Sequence, residues 1–82
     1  MQKSTYSREY RIFLSVLRQT REGKGMTQTE LAGKLGLTQS TVSKCERGER
    51  RLDLAELRFF CEAMEASLSD FVAQYENAAA QK

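Results

Sequence analysis

Apolar residues recur every three or four positions along most of this 82-residue chain, which is the spacing of helices that bury one face. Near the start of the chain, one such stripe leads to Arg21 and predicts a first helix that stops near Gly23 to Gly25. Its apolar members are Tyr6, Tyr10, Phe13, Leu14 and Leu17. Residues 1–5 precede the stripe, and we expect them to be frayed.

A second, shorter helix is predicted over about residues 28–35. Thr27 and Glu30 form a T-x-x-E capping box that sets where it begins. Its apolar face consists of Leu31, Ala32 and Leu35. Gly36 follows directly, and glycine commonly ends helices because it adopts a positive φ without steric cost.

A third helix, over about residues 39–47, is predicted to begin almost at once. Thr38 is placed to cap it, and Gly48 can close it. Val42 and Cys45 point inward at i, i+3 spacing. Two helices this short, joined by about three or four residues, must cross at a steep angle, which is the helix-turn-helix geometry.

Two further helices follow, each announced by a capping pair. Asp53 with Glu56 precedes the fourth helix, and Ser67 with Asp70 precedes the fifth. The fourth stripe contains Leu54, Leu57, Cys61 and Met64, and the fifth contains Leu68, Phe71, Val72 and Tyr75. After about Tyr75 the tail has nothing to bury, so we expect it to fray.

These elements predict an all-α chain, a five-helix bundle in a single domain over residues 1–82 with its core at about residues 6–75. Phe59 and Phe60 are adjacent, so one should enter the core while the other fills a lateral groove or a partner surface.

Composition excludes several classes of protein. A chain of this length is too small for a buried active-site cleft of the usual volume. It has no histidine, and Cys45 and Cys61 lack the partners that a zinc or redox site requires. We therefore expect no metal, no cofactor and no enzymatic activity. Charged or polar residues interrupt every apolar run, so we expect no membrane contact and a cytoplasmic location.

The charges separate along the chain although the net charge is only +2. Residues 1–51 carry eleven Lys and Arg against five acids, giving +6, and residues 52–82 carry two against six, giving −4. The basic part coincides with the two short helices. One side of the domain is therefore expected to meet a polyanion.

The residues RxxKGMTQTELAxKLGLTQSTVSxxERG, from Arg21 to Gly48, resemble the Cro and lambda-repressor-like (Xre) helix-turn-helix family, and the resemblance runs from about Leu17 to Val72. Many matching positions at fixed spacing make it specific. One departure from the family pattern is Glu65, which stands where relatives often carry the glycine that ends the fourth helix. Either a side chain is forced into an unfavourable cap there, or that helix ends differently. The resemblance implies that the third helix reads base edges of double-stranded DNA. It also implies a nucleoid-associated location when bound.

The candidate base contacts lie on the exposed side of the third helix: Gln39, Ser40, Thr41 and Lys44. The resemblance points to Gln39, Ser40 and Lys44 in particular. Gln39 is suited to a bidentate contact with adenine, and Lys44 to the N7 and O6 acceptors of guanine. The alternative for the serines and threonine is ordinary helix surface.

The candidate phosphate contacts are spread over several elements: Gln28, Ser43, Arg47, Arg50 and Arg51, with Arg18 and Lys24 as weaker candidates. Gln28 opens the second helix, where free N–H groups and the positive end of the helix dipole favour an anion. Arg50 and Arg51 lie in a loop, where a charged side chain is often only solvated. Relatives commonly pair the positions of Arg21 and Glu46, so we expect this pair to form an internal salt bridge that docks the first helix onto the third.

One recognition helix reads few bases, so a homodimer on a pseudo-palindrome is expected, with half-sites about 34–36 Å apart. The candidate dimer contacts are Phe60, Leu68, Val72 and Tyr75. The leading hypothesis is a transcriptional repressor. The alternatives are an antitoxin or restriction-controller protein that regulates its own operon, with a possible toxin or other protein partner, and a helical protein-interaction module that does not bind DNA.

Overall fold

The computed structural model describes residues 7–81, and within them it contains five α-helices and no strand. In chain order the helices are α1 (Arg8–Gly23), α2 (Gln28–Leu35), α3 (Gln39–Glu46), α4 (Leu54–Ala63) and α5 (Leu68–Ala80). The all-α, five-helix prediction is confirmed. Tyr6 and the preceding residues, which we expected to contribute one aromatic ring and a frayed end, lie outside the described residues.

Every helix begins at a residue whose side-chain oxygen accepts a hydrogen bond from the backbone N–H three positions later. Such a bond satisfies one of the donors that the first turn of a helix leaves without a partner. These N-caps are Ser7, Thr27, Thr38, Asp53 and Ser67. Thr27 and Asp53 belong to complete capping boxes, as predicted. At its other end, α3 stops at Glu46 with Arg47 as its C-cap, slightly earlier than predicted.

Two glycines fix the turns on either side of α3. Gly36 has φ +70° and ends α2, and Gly48 has φ +80° just after α3. A Cβ at Gly48 would lie 3.0 Å from Leu14 Cδ1. The chain therefore needs glycine there both for its backbone conformation and for its close approach to α1.

The core lies where all five helices meet. α2 packs on α3 and α4, while α1 packs on α3 and α5, and α4 on α5. The fully buried side chains are Leu17, Leu31, Val42, Cys45, Cys61 and Met64. Both cysteines are therefore core residues, and burial raises the pKa of the Cys61 thiol. The arrangement leaves one side of α3 outside the core.

α5 is longer than the sequence pattern predicts. It continues to Ala80, so the expected fraying after Tyr75 is wrong. Tyr75 and Ala78 pack against the core. Arg8, at the start of α1, donates a hydrogen bond of 3.1 Å to the backbone carbonyl of Ala79. The last turns of α5 are held by α1, a tertiary contact that helix propensity does not reveal.

The end of α4 resolves the two alternatives raised by Glu65. Its last helical residue is Ala63, and Met64 is the C-cap. Glu65 follows with φ +57°, and it is the one residue other than glycine with a positive φ among residues 7–81. A residue with a side chain therefore occupies the left-handed position that glycine fills without strain.

Candidate nucleic-acid interface

α3 has one face in the core and the other in solvent. Val42 and Cys45 are 0% exposed. Gln39, Ser40 and Lys44 are exposed, as predicted for side chains that could reach a ligand. The helix is therefore fixed from behind by apolar contacts, and its outer face consists of amide, hydroxyl and ammonium groups. These are the groups that form hydrogen bonds with base edges and phosphates.

Thr41 differs from the other candidate base contacts. It is only half-exposed, and its Oγ1 lies 2.9 Å from Oγ1 of Thr38. Its backbone N–H donates to the same Thr38 oxygen at 3.1 Å. The structure thus directs the Thr41 side chain toward the cap of α3, where it supports the start of the helix.

Behind α3 lies a buried ion pair. Arg21 Nε donates to Glu46 Oε2 at 2.6 Å, and Arg21 Nη2 donates to Glu46 Oε1 at 3.0 Å. The side chains are 9% and 0% exposed, respectively. The third nitrogen of the same guanidinium, Nη1, donates to the carbonyl of Met26 at 2.8 Å. The two residues that we expected to pair therefore do so, and they join α1 to α3.

The environment keeps this pair charged. Burial alone would raise the pKa of Glu46, but the hydrogen bonds from Arg21 and Gln28 and the nearby positive charges outweigh it, so the pKa is lowered. The hydrogen bond to Glu46 raises the pKa of Arg21. Glu46 is thus an ionised carboxylate at neutral pH, with hydrogen-bond acceptors and no donor.

A chain of two amides connects this carboxylate with the surface of α3. Gln28 Nε2 donates to Glu46 Oε1 at 2.9 Å. Gln39 Nε2 in turn donates to Gln28 Oε1 at 2.6 Å. Gln28, a candidate phosphate contact, and Gln39, a candidate base contact, are therefore neighbours although eleven positions separate them.

Ser43 and Arg47, two candidate phosphate contacts, also lie side by side. Arg47 Nη1 donates to the Ser43 hydroxyl. The same guanidinium binds Glu49 through Nε at 2.9 Å and through Nη2 at 3.4 Å. The hydrogen bond from Arg47 lowers the pKa of Glu49. Glu49 thus occupies hydrogen-bond donors of the Arg47 guanidinium, which is the cation at the C-terminal end of α3.

Two further candidate phosphate contacts, Arg18 and Lys24, lie on α1 and at its C-cap. Arg18 is exposed, and its Nε lies 3.8 Å from Glu46 Oε1, so it is close to α3. Lys24 is exposed at the C-cap of α1.

The loop arginines each have a protein partner. Arg50 Nη2 lies 3.2 Å from Glu56 Oε2 on α4. The guanidinium of Arg51 lies 4.7 Å from the centroid of the Tyr10 ring, a cation–π arrangement that ties the loop to α1. Arg50 also donates from Nη1 to Cys45 Sγ at 3.6 Å, so its side chain lies between α3 and α4, while Arg51 is directed to α1.

Among residues 7–81, no three His, Cys, Asp or Glu side chains are grouped so that they could hold a metal ion. Within the same residues, no helix is both long enough and apolar enough to cross a membrane.

Comparison with known proteins agrees with this geometry. The profile of the helix-turn-helix family matches residues 17–71, which is well over half of the chain. This chain belongs to the helix-turn-helix family. None of the curated proteins compared with it matches.

Several solved structures are similar to this helix-turn-helix protein, and three of them illustrate the likeness. An XRE-family like protein from Pseudomonas syringae pv. tomato is 39% identical, with a TM-score of 0.78 over 84% of each chain. A point mutant of the restriction-modification controller protein C.Esp1396I is 28% identical, with a TM-score of 0.85 over 92% of this chain and 100% of that one. The clp gene regulator ClgR from Corynebacterium glutamicum is 26% identical, with a TM-score of 0.80 over 93% and 99%.

The family match and these neighbours make the chain an Xre-like, DNA-binding transcriptional regulator, and it is not an enzyme. Two features of its site were not predicted from the sequence. One is the ion pair of Arg47 with Glu49, although an acid two positions after an arginine is a pattern that favours such a pair. The contact between Gln28 and Gln39 has no sequence signal, because it depends on the crossing of α2 and α3.

The predicted dimer surface needs one correction. Phe60 is 3% exposed and belongs to the core, so it is wrong as a dimer contact, and the exposed aromatic residue is its neighbour Phe59, at 58%. Val72 is 40% exposed, and Leu68 and Tyr75 are half-buried. Val72 and Tyr75 line an apolar pocket of about 290 Å³ between α1, α4 and α5.

Proposed function

We propose that this regulator reads operator half-sites in the major groove with α3 and that it acts as a repressor in the cytoplasm. The observation that carries the proposal is the outer face of α3. Gln39, Ser40 and Lys44 project from a helix whose inner face, Val42 and Cys45, is wholly buried. A rigid helix with a polar outer face fits the major groove, which is wide enough to admit it.

Each polar group on this face has a partner on DNA. Gln39 would donate to N7 of adenine and accept from its N6, while Lys44 would donate to N7 and O6 of guanine. Ser40 would bond a base edge or a phosphate. Thr41, whose hydroxyl contacts Thr38, would act mainly by holding the start of α3.

The phosphates would be held on both sides of α3. Gln28 lies at the N-terminus of α2, where backbone N–H groups and the helix dipole attract an anion. Ser43 and Arg47 would bind at the other end of α3, and Arg18 and Lys24 from α1. Arg50 and Arg51 contribute to the basic charge of residues 1–51, while their contacts with Glu56 and Tyr10 hold the loop after α3.

A homodimer would place two recognition helices on a pseudo-palindrome with half-sites about 34–36 Å apart. We propose that α5 supplies the contact, through Val72 with Leu68 and Tyr75. Residues 52–82, which include α4 and α5, carry −4, so this part of the surface is suited to face away from DNA.

Selection of preferred sites from random duplex DNA tests the proposal. We expect enrichment of a two-fold symmetric site and an affinity that falls steeply with salt, by about 0.9 log units per log unit of salt for each phosphate bound. Lys44→Ala should lower the affinity for the selected site. Arg58→Ala removes the same charge from the exposed surface of α4 and is the matched control.

No enrichment, together with binding that is insensitive to salt, would refute DNA reading and favour a protein-interaction module. An asymmetric enriched site, together with a monomeric protein in sedimentation, would refute only the dimer. Val72→Asp, a surface change on α5, should abolish dimerisation if the proposed contact is correct.

A second candidate is a restriction-controller protein that regulates its own operon. It is favoured by the likeness to the restriction-modification controller protein, which spans the whole of that chain at a TM-score of 0.85. The candidates differ in where the selected site occurs. A site upstream of the chain's own gene, beside a restriction or modification gene, would support the controller role.

A further inference from the structure

The side chain of Glu46 has a second role available besides its bond with Arg21. Its Oε1 accepts hydrogen bonds from Arg21 Nη2 and from Gln28 Nε2, and its Oε2 accepts from Arg21 Nε. The side chain is 0% exposed. The carboxylate is thus shared between a buried cation and an amide that leads to α3.

The charge of Glu46 determines how that amide is oriented. An ionised carboxylate only accepts hydrogen bonds, so Gln28 must turn its N–H₂ group toward Glu46. The Gln28 oxygen then faces Gln39, and Gln39 must turn its own N–H₂ group toward that oxygen. Chemistry alone therefore fixes which atom of each amide is nitrogen and which is oxygen, although the two are hard to distinguish by shape.

We infer that Glu46 is a positioning residue for base recognition, because it fixes through Gln28 the order of donor and acceptor that Gln39 presents to DNA. The inference rests on the proposed function, in which Gln39 reads a base edge. One hydrogen of Gln39 Nε2 is used by Gln28, while the second hydrogen and Oε1 stay available.

This order matches adenine. The free N–H of Gln39 can donate to N7, and Oε1 can accept from N6. If the amide were reversed in place, its oxygen would face N7 and its N–H₂ group would face N6. N7 is an acceptor in adenine and in guanine alike, so the reversed amide fits neither purine. A Gln39 amide whose nitrogen and oxygen positions are fixed therefore selects adenine.

Glu46→Gln tests the inference with the smallest change of shape. The new amide has one acceptor oxygen. Arg21 would donate to that oxygen, so the N–H₂ group of the new amide would face Gln28. The orientation of Gln28 and of Gln39 would no longer be fixed, or would reverse. Gln28→Leu interrupts the same chain at its middle, and it keeps both hydrogen bonds between Arg21 and Glu46 while removing the one from Gln28.

The measurement is a ratio of affinities. Fluorescence anisotropy compares the selected operator with a duplex in which the base pair read by Gln39 is changed. In the unaltered protein the ratio should be about 5- to 150-fold, the range for one bidentate contact. In Glu46→Gln and in Gln28→Leu it should fall toward one. Gln28→Leu should also lower the affinity for every duplex by a common factor, and that factor cancels in the ratio.

Arg21→Lys is the matched control for loss of stability. It weakens the buried pair, since an ammonium group cannot make the bidentate contact, but it keeps the Glu46 carboxylate. We expect a lower melting temperature and an unchanged ratio. If Arg21→Lys lowers the ratio as much as Glu46→Gln does, the effect is general loosening of α3 and the inference is overturned.

Gln39→Ala separates the inference from the proposed function. Loss of the ratio in Gln39→Ala, with an unchanged ratio in Glu46→Gln and Gln28→Leu, would overturn the positioning role and leave base reading intact. An unchanged ratio in Gln39→Ala would overturn both. Circular dichroism of each variant establishes that it is folded, and Gln28→Leu carries the test if Glu46→Gln does not fold.

Discussion

Glu46→Ala should remove a large part of the stability of the domain. The substitution deletes both Arg21 bonds and the Gln28 bond, and it leaves a guanidinium whose side chain is 9% exposed. The bond to the Met26 carbonyl then remains, with an exposed Glu22 carboxylate 3.9 Å away. Removing one member of a buried pair costs about 3–5 kcal/mol, because the other charge stays buried.

This loss can be compared with the total free energy of unfolding. At roughly 0.05–0.15 kcal/mol per residue, a chain of 82 residues has a free energy of unfolding of about 4–12 kcal/mol. The expected loss is therefore at least about a quarter of the total, and at the lower end of the range the variant would retain only between about +1 and −1 kcal/mol, so a large fraction of it would be unfolded at 25 °C.

Urea unfolding followed by far-UV circular dichroism measures the effect. Glu62→Ala is the control, since Glu62 forms only an exposed i, i+4 pair with Arg58 at 3.4 Å, and it should change stability by less than about 0.5 kcal/mol. The double variant Arg21→Met with Glu46→Leu should recover most of the loss. Equal urea midpoints for Glu46→Ala and Glu62→Ala would refute the architectural role of the pair.

Acid should reveal the same interaction. The pKa of Glu46 is lowered in the folded protein from its ordinary value of 4.5. Its contribution to stability is therefore fully present above that ordinary value and is lost as the pH falls through the folded-state pKa. The stability difference between the unaltered protein and Arg21→Met with Glu46→Leu should shift in favour of the double variant below about pH 4.5.

Three further predictions concern single positions. Gly48→Ala should destabilise the fold by about 2–3 kcal/mol, because φ +80° strains an L-residue and the new Cβ meets Leu14 Cδ1 at 3.0 Å. Glu65→Gly should raise the melting temperature by relieving φ +57°, with a gain of up to about 1 kcal/mol after the entropy cost of glycine. Glu49→Gln should strengthen binding to every duplex DNA, because it removes an acid that competes with phosphate for the guanidinium at the C-cap of α3.

Each has its own control. Gly36→Ala shares the positive φ, but nothing lies within 4 Å of the added Cβ, so thermal melts should show a smaller loss than for Gly48→Ala. A decrease in melting temperature for Glu65→Gly would contradict the strain at that cap. Glu62→Gln removes the same charge from α4, and an equal gain in DNA affinity would show that net charge, not the contact at α3, explains Glu49→Gln.

The starts of α2, α3, α4 and α5 could be predicted because their capping signals are local, whereas the Ser7 cap of α1 was not predicted. Thr27 with Glu30 and Asp53 with Glu56 form complete capping boxes, and each signal spans four residues. The inward face of α3 was equally predictable, since a period of 3.6 residues leaves few ways to bury an eight-residue helix.

Features that depend on tertiary contacts could not be predicted in this way. Phe59 and Phe60 are equivalent to a periodicity argument, and only the position of α4 against the core decides that Phe60 is buried. The last turns of α5 contact α1 through Arg8 and pack on the core through Tyr75 and Ala78, which are contacts between distant parts of the chain. Arg50 is basic in any count of charges, but its side chain is paired with Glu56.

The small size of α3 limits how its specificity can be transferred. Isolated helices shorter than about 12–15 residues are marginal in water, and α3 has only eight residues. A synthetic peptide of residues 39–46 would be a random coil and would not bind the operator. Redesign of the target site therefore requires exchanging side chains on the intact protein, because an excised segment retains no shape with which to dock.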